Sequence, residues 1–448
     1  MHSNLKRIAF FAVVLAAVAT PLAPAQQLAP TPPMGWNSWD SYGTTVRESE
    51  VRANADAMAT LKRYGWEYIV VDIQWSEPNA QAHGYRAGAQ LAMDDHGRLI
   101  PAVNRFPSAQ DGAGFKELAT YVHSKGLKFG IHIMRGIPRQ AVAQNSPILG
   151  TALHAADIAD RNSVCTWNTD MYGVDMTKPG AQAYYDSLVA MYASWGVDFI
   201  KADDMLRPYH DAEIEGLHKA IAHSGRAIVL SLSPGPAPVD KVASLRANAQ
   251  MWRIEDDLWD DWKSVRNMAS RIENWWQLVE PGHWPDADML PLGHIGIRAE
   301  RGNDRQSRLT QDEQKTMMTL WGIARSPLMF GGDLATLDPF TRSLLTNADV
   351  LAVNQHGVGN KLAYKDKDLR VWTAQTTNRG ASSYIAILNL GDEPIEQDIP
   401  WSTIGITNPN KPLRDTWSGT TLPTSGTLHI RLNPHSSMLL SNNSALLP

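Results

Sequence analysis

The chain has 448 residues, with 41 Lys+Arg against 46 Asp+Glu and 43% hydrophobic against 19% charged residues. That length predicts several domains or one large barrel with a smaller partner, since single cores rarely grow past roughly 250–300 residues, and the composition excludes disorder. A net charge of −5 gives no footprint for nucleic acid or an anionic membrane, and a single cysteine excludes an internal disulfide framework and a zinc site built on several thiolates.

In chain order, residues 1–25 read as a cleavable export signal. Lys6 and Arg7 precede an apolar run over 8–19, and Ala23-Pro24-Ala25 makes a small-x-small cleavage site before Gln26. The run falls short of the ~20 residues a bilayer span needs. The expectation is therefore a secreted or periplasmic protein with no membrane span, in which Cys165 is a lone thiol.

Short apolar runs that end in polar residues then recur. Met34-Gly35-Trp36-Asn37 comes first, Tyr68-Ile69-Val70-Val71 runs into Asp72, and Lys128-Phe129-Gly130-Ile131 runs into His132. Val197-Asp198-Phe199-Ile200 leads to Lys201-Ala202-Asp203-Asp204, and Ala227-Ile228-Val229-Leu230 leads to Ser231-Leu232-Ser233. Met251-Trp252-Arg253-Ile254 precedes Glu255-Asp256-Asp257, followed by Asp288-Met289-Leu290 and by Pro327-Leu328-Met329-Phe330 before two glycines. Near-continuous apolar runs suit strands buried on both faces. Between them, Val51, Ala55, Met58 and Leu61 share one helical face, as do Phe115, Leu118 and Val122, and Tyr184, Leu188, Met191 and Trp195. Eight strand candidates alternating with helices predict an α/β fold, a (β/α)8 TIM barrel over 26–359. No glycine-rich phosphate loop follows the first strand, which weighs against a nucleotide-binding open sheet. Over 360–448 the texture changes to strand-like segments at 369–374, 383–390 and 427–432. Leu428, Ile430 and Leu432 alternate there with His429 and Arg431, which predicts a C-terminal all-β antiparallel sandwich.

Barrel active sites lie at the C-terminal strand ends, and that rule gathers Asp72, Asp203, Asp257 and Asp288 with His132, Lys201 and Arg253. Converging carboxylates suit glycosidic cleavage, in which a neighbouring cation keeps one ionised and a more secluded site raises the pKa of the other. Blander readings stay open on spacing alone. Asp203-Asp204 fits a helix cap, 255–261 a solvated acidic turn, and His132 a core histidine, while Asp pairs with His132 also fit a divalent metal. Sixteen tryptophans against eight phenylalanines fit either ordinary core or the flat ring surfaces of sugar clefts.

The stretch Thr31-Pro32-Pro33-Met34-Gly35-Trp36-Asn37-Ser38-Trp39 resembles the N-terminal signature of glycoside hydrolase family 27, the α-galactosidase and α-N-acetylgalactosaminidase family. The resemblance continues through Trp195-Gly196-Val197-Asp198-Phe199-Ile200-Lys201-Ala202-Asp203, Trp252-Arg253 with Asp257, Asp286-Ala287-Asp288-Met289-Leu290 and Ser326-Pro327-Leu328, in family order over about 30–360. It implies a barrel followed by an antiparallel β-domain, and neither cofactor nor metal. Asp203 matches the family nucleophile and Asp257 the acid/base of a retaining mechanism. Lys201 and Arg253 match sugar-hydroxyl contacts, Trp39 the indole against the sugar's apolar face, and Asp72 the first of two adjacent carboxylates at the galactose O4 and O6. Asp288 matches a residue beside the acid/base.

Three positions depart from the pattern. The second of the paired carboxylates is Ile73, the tyrosine after strand three is His132, and Ser233 stands where a bulky residue often flanks the 2-OH. The loop Cys165-Thr166-Trp167-Asn168-Thr169-Asp170-Met171-Tyr172 has no matching counterpart and is expected to rim the cleft. The resemblance implies a retaining exo-glycosidase acting on terminal α-D-galactosyl groups of an oligosaccharide or polysaccharide. An α-N-acetylgalactosaminidase or a β-L-arabinopyranosidase is the alternative within the family, the latter fitting Ile73 because its sugar lacks the C6 hydroxymethyl. A non-catalytic carbohydrate-binding protein is the alternative from another class.

Overall fold

Eight strands hydrogen-bond in parallel in the computed structural model, which describes residues 27–376, 382–406, 412–424 and 426–442. They are β1 (Met34–Asn37), β2 (Tyr68–Val71), β3 (Lys128–Met134), β4 (Phe199–Asp203), β5 (Val229–Leu232), β6 (Met251–Arg253), β7 (Trp284–Asp286) and β8 (Leu328–Phe330). Their order is β7-β6-β5-β4-β3-β2-β1-β8. A parallel bridge from Leu290 to Phe330 joins the open side and closes the sheet into a barrel. The apolar runs are nearly continuous because both faces are buried: Tyr68, Val70, Phe199, Val229, Met251 and Trp284 cluster apart from Ile69, Val71, Ile131, Ile200, Leu230 and Trp252, which pack with the helices.

The principal helices are α1 (Glu48–Ala59), α2 (Lys116–Ser124), α3 (Ala181–Trp195), α4 (Asp211–Ser224), α5 (Val242–Asn248), α6 (Trp262–Trp275), α7 (Gln311–Ala324) and α8 (Ala348–His356), with further short helices such as Arg139–Gln144 and Pro339–Leu345 between some of them. Their ends are written locally. Gly196 closes α3 at φ 89°, and Asp261 caps α6 by accepting the Ser264 N–H at 2.9 Å.

Two expectations need correction. The seventh strand is Trp284–Asp286, not 288–290: Asp288 adopts φ 75° beyond the strand end, and the chain turns there before Leu290 meets Phe330. Residues 357–359, expected in the barrel, already belong to the first strand of the C-terminal region, β9 (Gly357–Asp366). That strand continues directly from α8, so no linker marks the change.

The C-terminal region adds β10 (Leu369–Thr376), β11 (Ser382–Asn389), β12 (Ile395–Pro400), β13 (Leu413–Asp415), β14 (Thr421–Leu422), β15 (Thr427–Leu432) and β16 (Ser437–Ser441). All pairings are antiparallel, in a six-stranded sheet β9-β10-β11-β16-β13-β14 and a two-stranded sheet β12-β15. Val371, Ile387, Ile399, Leu428 and Ile430 fill one core shared by both sheets, as the alternation at 428–432 predicts. Trp262 of α6 stacks on His435 with ring centroids 4.3 Å apart, and Asp349 of α8 accepts the Tyr384 hydroxyl at 3.1 Å. Among the described residues no helix is long and apolar enough to cross a membrane. The expected signal over 1–25 lies outside the described residues.

Candidate active site

Each barrel strand delivers its last residues to one end of the barrel, where a cavity of about 260 Å³ opens. All nine residues singled out in the sequence line it: Trp39, Asp72, His132, Lys201, Asp203, Ser233, Arg253, Asp257 and Asp288. Parallel register explains the convergence, because His132 of β3 pairs with Lys201 of β4, which pairs with Ser231 of β5.

A linked polar floor holds these groups. His132 Nδ1 lies 2.7 Å from Asp72 Oδ1, and its Nε2 lies 3.5 Å from Asp203 Oδ2. Lys201 Nζ donates to Asp72 Oδ2 at 3.3 Å, and the Ser233 hydroxyl donates to Asp203 Oδ1 at 3.2 Å. The Asp204 peptide N–H donates to the same Asp203 oxygen at 2.9 Å. Across the cavity, Arg253 reaches Asp288 at 2.7 Å and Asp257 at 3.3 Å, while the Leu258 N–H donates to Asp288 at 2.6 Å. His132 thus lies between two carboxylates and is not an isolated core histidine.

Charge follows geometry. Burial pushes the Asp203 carboxyl up, but His132, Lys201 and the Asp204 N–H outweigh it and hold the group below its ordinary value. Burial likewise opposes ionisation of Asp72, and His132 and Lys201 again prevail, holding it well below the usual carboxylate range. Lys201 is raised, burial notwithstanding, by Asp72. Asp40 differs: it is buried, its Oδ2 has no hydrogen-bond partner, and burial together with Asp288 raises its pKa well above normal. Its niche exists because residue 331 is glycine, where a Cβ would sit 1.9 Å from Asp40 Oδ2.

The seclusion of the two central carboxylates runs opposite to expectation. The Asp203 side chain is 11% exposed and the Asp257 side chain 38%. Asp203 ends a strand inside the sheet, whereas Asp257 stands on the loop after β6. The rival capping role for Asp203-Asp204 does not occur, since α4 starts only at Asp211. Nor is 255–261 simply a solvated turn, because Asp260 is buried in charge-assisted bonds to Arg305 at 2.7 Å and Arg308 at 2.9 Å.

Sequence reasoning missed the lining contributed by loops. Tyr85 stacks on Trp39 with centroids 5.8 Å apart, and the Trp39 side chain pulls down the Glu300 carboxyl, which burial raises. Trp259, Arg301, Arg207 and Asp256 complete the rim. None sits in a periodic segment; Asp256 and Trp259 belong to the acidic stretch 255–261, and Trp167 to the 165–172 segment, which does reach the cavity. Ile73 does not line the main cavity. It is buried beside a small adjoining crevice bounded also by His132, Met134 and Met171. Among the described residues, no group of three or more His, Cys, Asp or Glu is arranged to hold a metal ion.

The sequence profile described as Alpha galactosidase A matches residues 31–178 and 168–356. The chain is similar to a family 27 β-L-arabinopyranosidase from Geobacillus stearothermophilus, solved in complex with arabinose. The two share 54% identity over 93% of this chain and 98% of the other, with a TM-score of 0.89. A Bacillus halodurans protein proposed to be an α-N-acetylgalactosaminidase is 52% identical over 92% of this chain and 96% of its own, with a TM-score of 0.81. The α-galactosidase of Coffea arabica is 30% identical over 89% of each chain.

Proposed function

The chain belongs to glycoside hydrolase family 27, and on that premise we propose that it is a retaining exo-glycosidase that removes terminal β-L-arabinopyranosyl groups. Asp203 attacks the anomeric carbon while Asp257 protonates the glycosidic oxygen. Asp257 then takes a proton from water as that water hydrolyses the glycosyl ester on Asp203. The observation that carries this reading is that both carboxylates bound one cavity, with Asp203 enclosed by His132, Lys201, Ser233 and a peptide N–H that favour its ionised form. A cavity of about 260 Å³ falls below the roughly 300–1,000 Å³ of sites for drug-sized ligands, which suits one pyranose ring at a chain end. Trp39 supports the ring's apolar face, and Asp72 with Lys201 offers the hydroxyl contacts.

Ile73 supports the sugar preference. An α-D-galactosyl ring carries a C6 hydroxyl that β-L-arabinopyranose lacks, and a buried hydroxyl without a partner costs roughly 1–3 kcal/mol. The similarity to the Geobacillus arabinopyranosidase, at 54% identity, points the same way. A second reading, hydrolysis of terminal α-D-galactosides, rests on the 30% identical coffee α-galactosidase and on the shared ring stereochemistry of the two sugars. Kinetics on the nitrophenyl glycosides of β-L-arabinopyranose, α-D-galactose and α-D-N-acetylgalactosamine decide between them. Highest kcat/KM on the arabinoside is expected, and equal or higher values on the galactoside defeat the preference. For the mechanism, Asp203→Gly is expected to be inactive and to form a glycosyl azide of inverted configuration when azide is supplied. Retention of hydrolysis by this variant refutes the role of Asp203.

The 165–172 loop brings Trp167 to the rim, where it offers a stacking surface to the sugar or to the leaving group. Export, as expected from residues 1–25, is consistent with a substrate met outside the cytoplasm, and detection of a chain beginning at Gln26 in culture supernatant or periplasm tests it.

A further inference from the structure

Beside Asp203 lies a buried ion cluster that does not line the cavity. Arg135 is the residue after β3, Asp204 the residue after β4, and Glu213 lies in the first turn of α4. The Arg135 guanidinium contacts the Asp204 carboxylate through Nη2 at 2.7 Å and Nε at 3.1 Å, and the Asp204 carbonyl through Nε at 2.9 Å. Its Nη1 reaches Glu213 at 2.6 Å and the Ser163 hydroxyl at 3.0 Å. Glu213 is fixed in turn, accepting the Tyr185 hydroxyl at 2.7 Å and the Val174 N–H at 3.2 Å. The peptide N–H of Arg135 donates to the Asp203 carbonyl at 3.0 Å. The three charged side chains are 2%, 4% and 7% exposed.

This arrangement is costly in two ways, which argues for a purpose. Burial opposes the Arg135 charge, although Glu213 and Asp204 restore it, and burial raises Asp204 against the pull of Arg135. Asp204 also has φ 60°, in the left-handed region that residues with a Cβ enter at a cost. That conformation accompanies the Asp204 N–H bond of 2.9 Å to the Asp203 carboxylate. We propose that Arg135 is a positioning residue for the nucleophile: its fork on the Asp204 carboxylate and carbonyl anchors residue 204 in the left-handed conformation and, together with its own N–H on the Asp203 carbonyl, fixes the 203–204 peptide plane whose N–H donates to the Asp203 carboxylate. The inference rests on the reading of Asp203 as nucleophile.

The design separates lost charge pairing from lost backbone conformation. Arg135→Met removes the fork but strands two carboxylates. The double variants Arg135→Met/Asp204→Ala and Arg135→Met/Asp204→Gly both delete the stranded Asp204 carboxylate, yet only glycine is at ease at φ 60° without a clamp. The readouts are kcat and KM on nitrophenyl β-L-arabinopyranoside and α-D-galactoside, the pH dependence of kcat/KM, and thermal melting. Arg135→Met is expected to lower kcat by about 100-fold with little change in KM, the scale of a small displacement of a reacting group, and to move the acid limb of kcat/KM to higher pH. The glycine double variant recovers at least tenfold in kcat and the original acid limb, and the alanine double variant recovers neither. The acid limb also feels His132 from β3, Lys201 from β4, Arg253 from β6, and Tyr85, Cys165 and Asp257 from the loops. These are unchanged in every variant, and the Asp204 carboxylate, which also faces Asp203, is absent from both double variants, so the difference between the alanine and glycine double variants reports on the Asp204 N–H.

Equal recovery by alanine and glycine, or a folded Arg135→Met with unaltered kcat and acid limb, overturns the proposal. If Arg135→Met does not fold, Arg135→Lys keeps the charge but loses the two-pronged grip, and its kcat must fall about tenfold; wild-type kcat overturns the proposal as well. Asp203→Asn separates the two levels. If it is inactive while the Arg135 variants behave as wild type, only the positioning role fails, whereas turnover by Asp203→Asn removes the nucleophile reading and the proposal with it.

Discussion

Replacing Ile73 with Asp is expected to turn the sugar preference toward α-D-galactosides. Ile73 follows Asp72 directly, is 2% exposed, and shares its crevice with His132, which also lines the main cavity. The variant loses an isoleucine worth roughly 1.5–3 kcal/mol of burial, and it places a second carboxyl beside an ionised one. The melting temperature should therefore fall. In exchange, under the proposed correspondence of residue 73 to the family's second O4/O6 carboxylate, the new carboxyl offers a partner to the C6 hydroxyl of galactose, and a hydrogen bond to a charged group is worth about 1.5–3 kcal/mol. At roughly 1.4 kcal/mol per factor of ten, the ratio of kcat/KM for galactoside over arabinopyranoside should rise about 10- to 100-fold. The arabinopyranoside has no C6 hydroxyl, so its own kcat/KM gains nothing. Paired kinetics on the two nitrophenyl glycosides, with folding checked by circular dichroism, provide the measurement. A folded variant whose ratio stays within a factor of two of the parent's refutes the assignment of Ile73 to the C6 region.

Three further outcomes are expected. Asp257→Ala should lower kcat/KM by about 10²- to 10⁴-fold on substrates with poor leaving groups, and far less on dinitrophenyl glycosides, which depart without protonation; a uniform loss across leaving groups contradicts the acid role. Burial pushes the Asp286 carboxyl up to about 7, with Asp288 adding to it against the pull of Arg253. A carboxyl raised in the folded state binds more protons than in the unfolded chain between about pH 4 and 7, so it makes stability fall as pH rises through that window. Asp286→Asn should remove that loss, worth on the order of a few kcal/mol, so that its melting temperature relative to the parent improves from pH 4 to pH 8; an unchanged difference denies the shift. Cys165 is buried, and burial with nearby Asp204 pushes its thiol up to about 12. Iodoacetamide at pH 8 should leave the native protein unlabelled and alkylate it only after denaturation, as mass spectrometry would show.

The site divides its charges by position. Asp203, at a strand end, is enclosed by donors and cations, whereas Asp257 rides a loop and keeps a 38% exposed side chain beside Arg253. In the proposed mechanism that asymmetry suits the two tasks. A nucleophile must be ionised and fixed before the sugar arrives, while an acid/base must exchange protons with the leaving group and then with water.

The chain itself determined the barrel and the strand-end part of the cavity wall. Strands buried on both faces need continuous apolar runs, and polar residues that break such runs fall at strand ends, so Asp72, His132, Lys201, Asp203 and Arg253 could be placed from one dimension. Alternation at 428–432 fixed a half-buried strand in the same way. Tertiary structure alone decided the rest. The end of the seventh strand depends on the turn at Asp288 that lets Leu290 meet Phe330, and no local propensity encodes it. Tyr85 against Trp39, Glu300 at the same indole, and Asp260 between Arg305 and Arg308 join residues tens of positions apart on loops without periodicity. The hold of Arg135 on Asp204 has the same origin. Two adjacent strand ends become neighbours only when the barrel closes, and a buried charge becomes tolerable only once its partners have been brought to it.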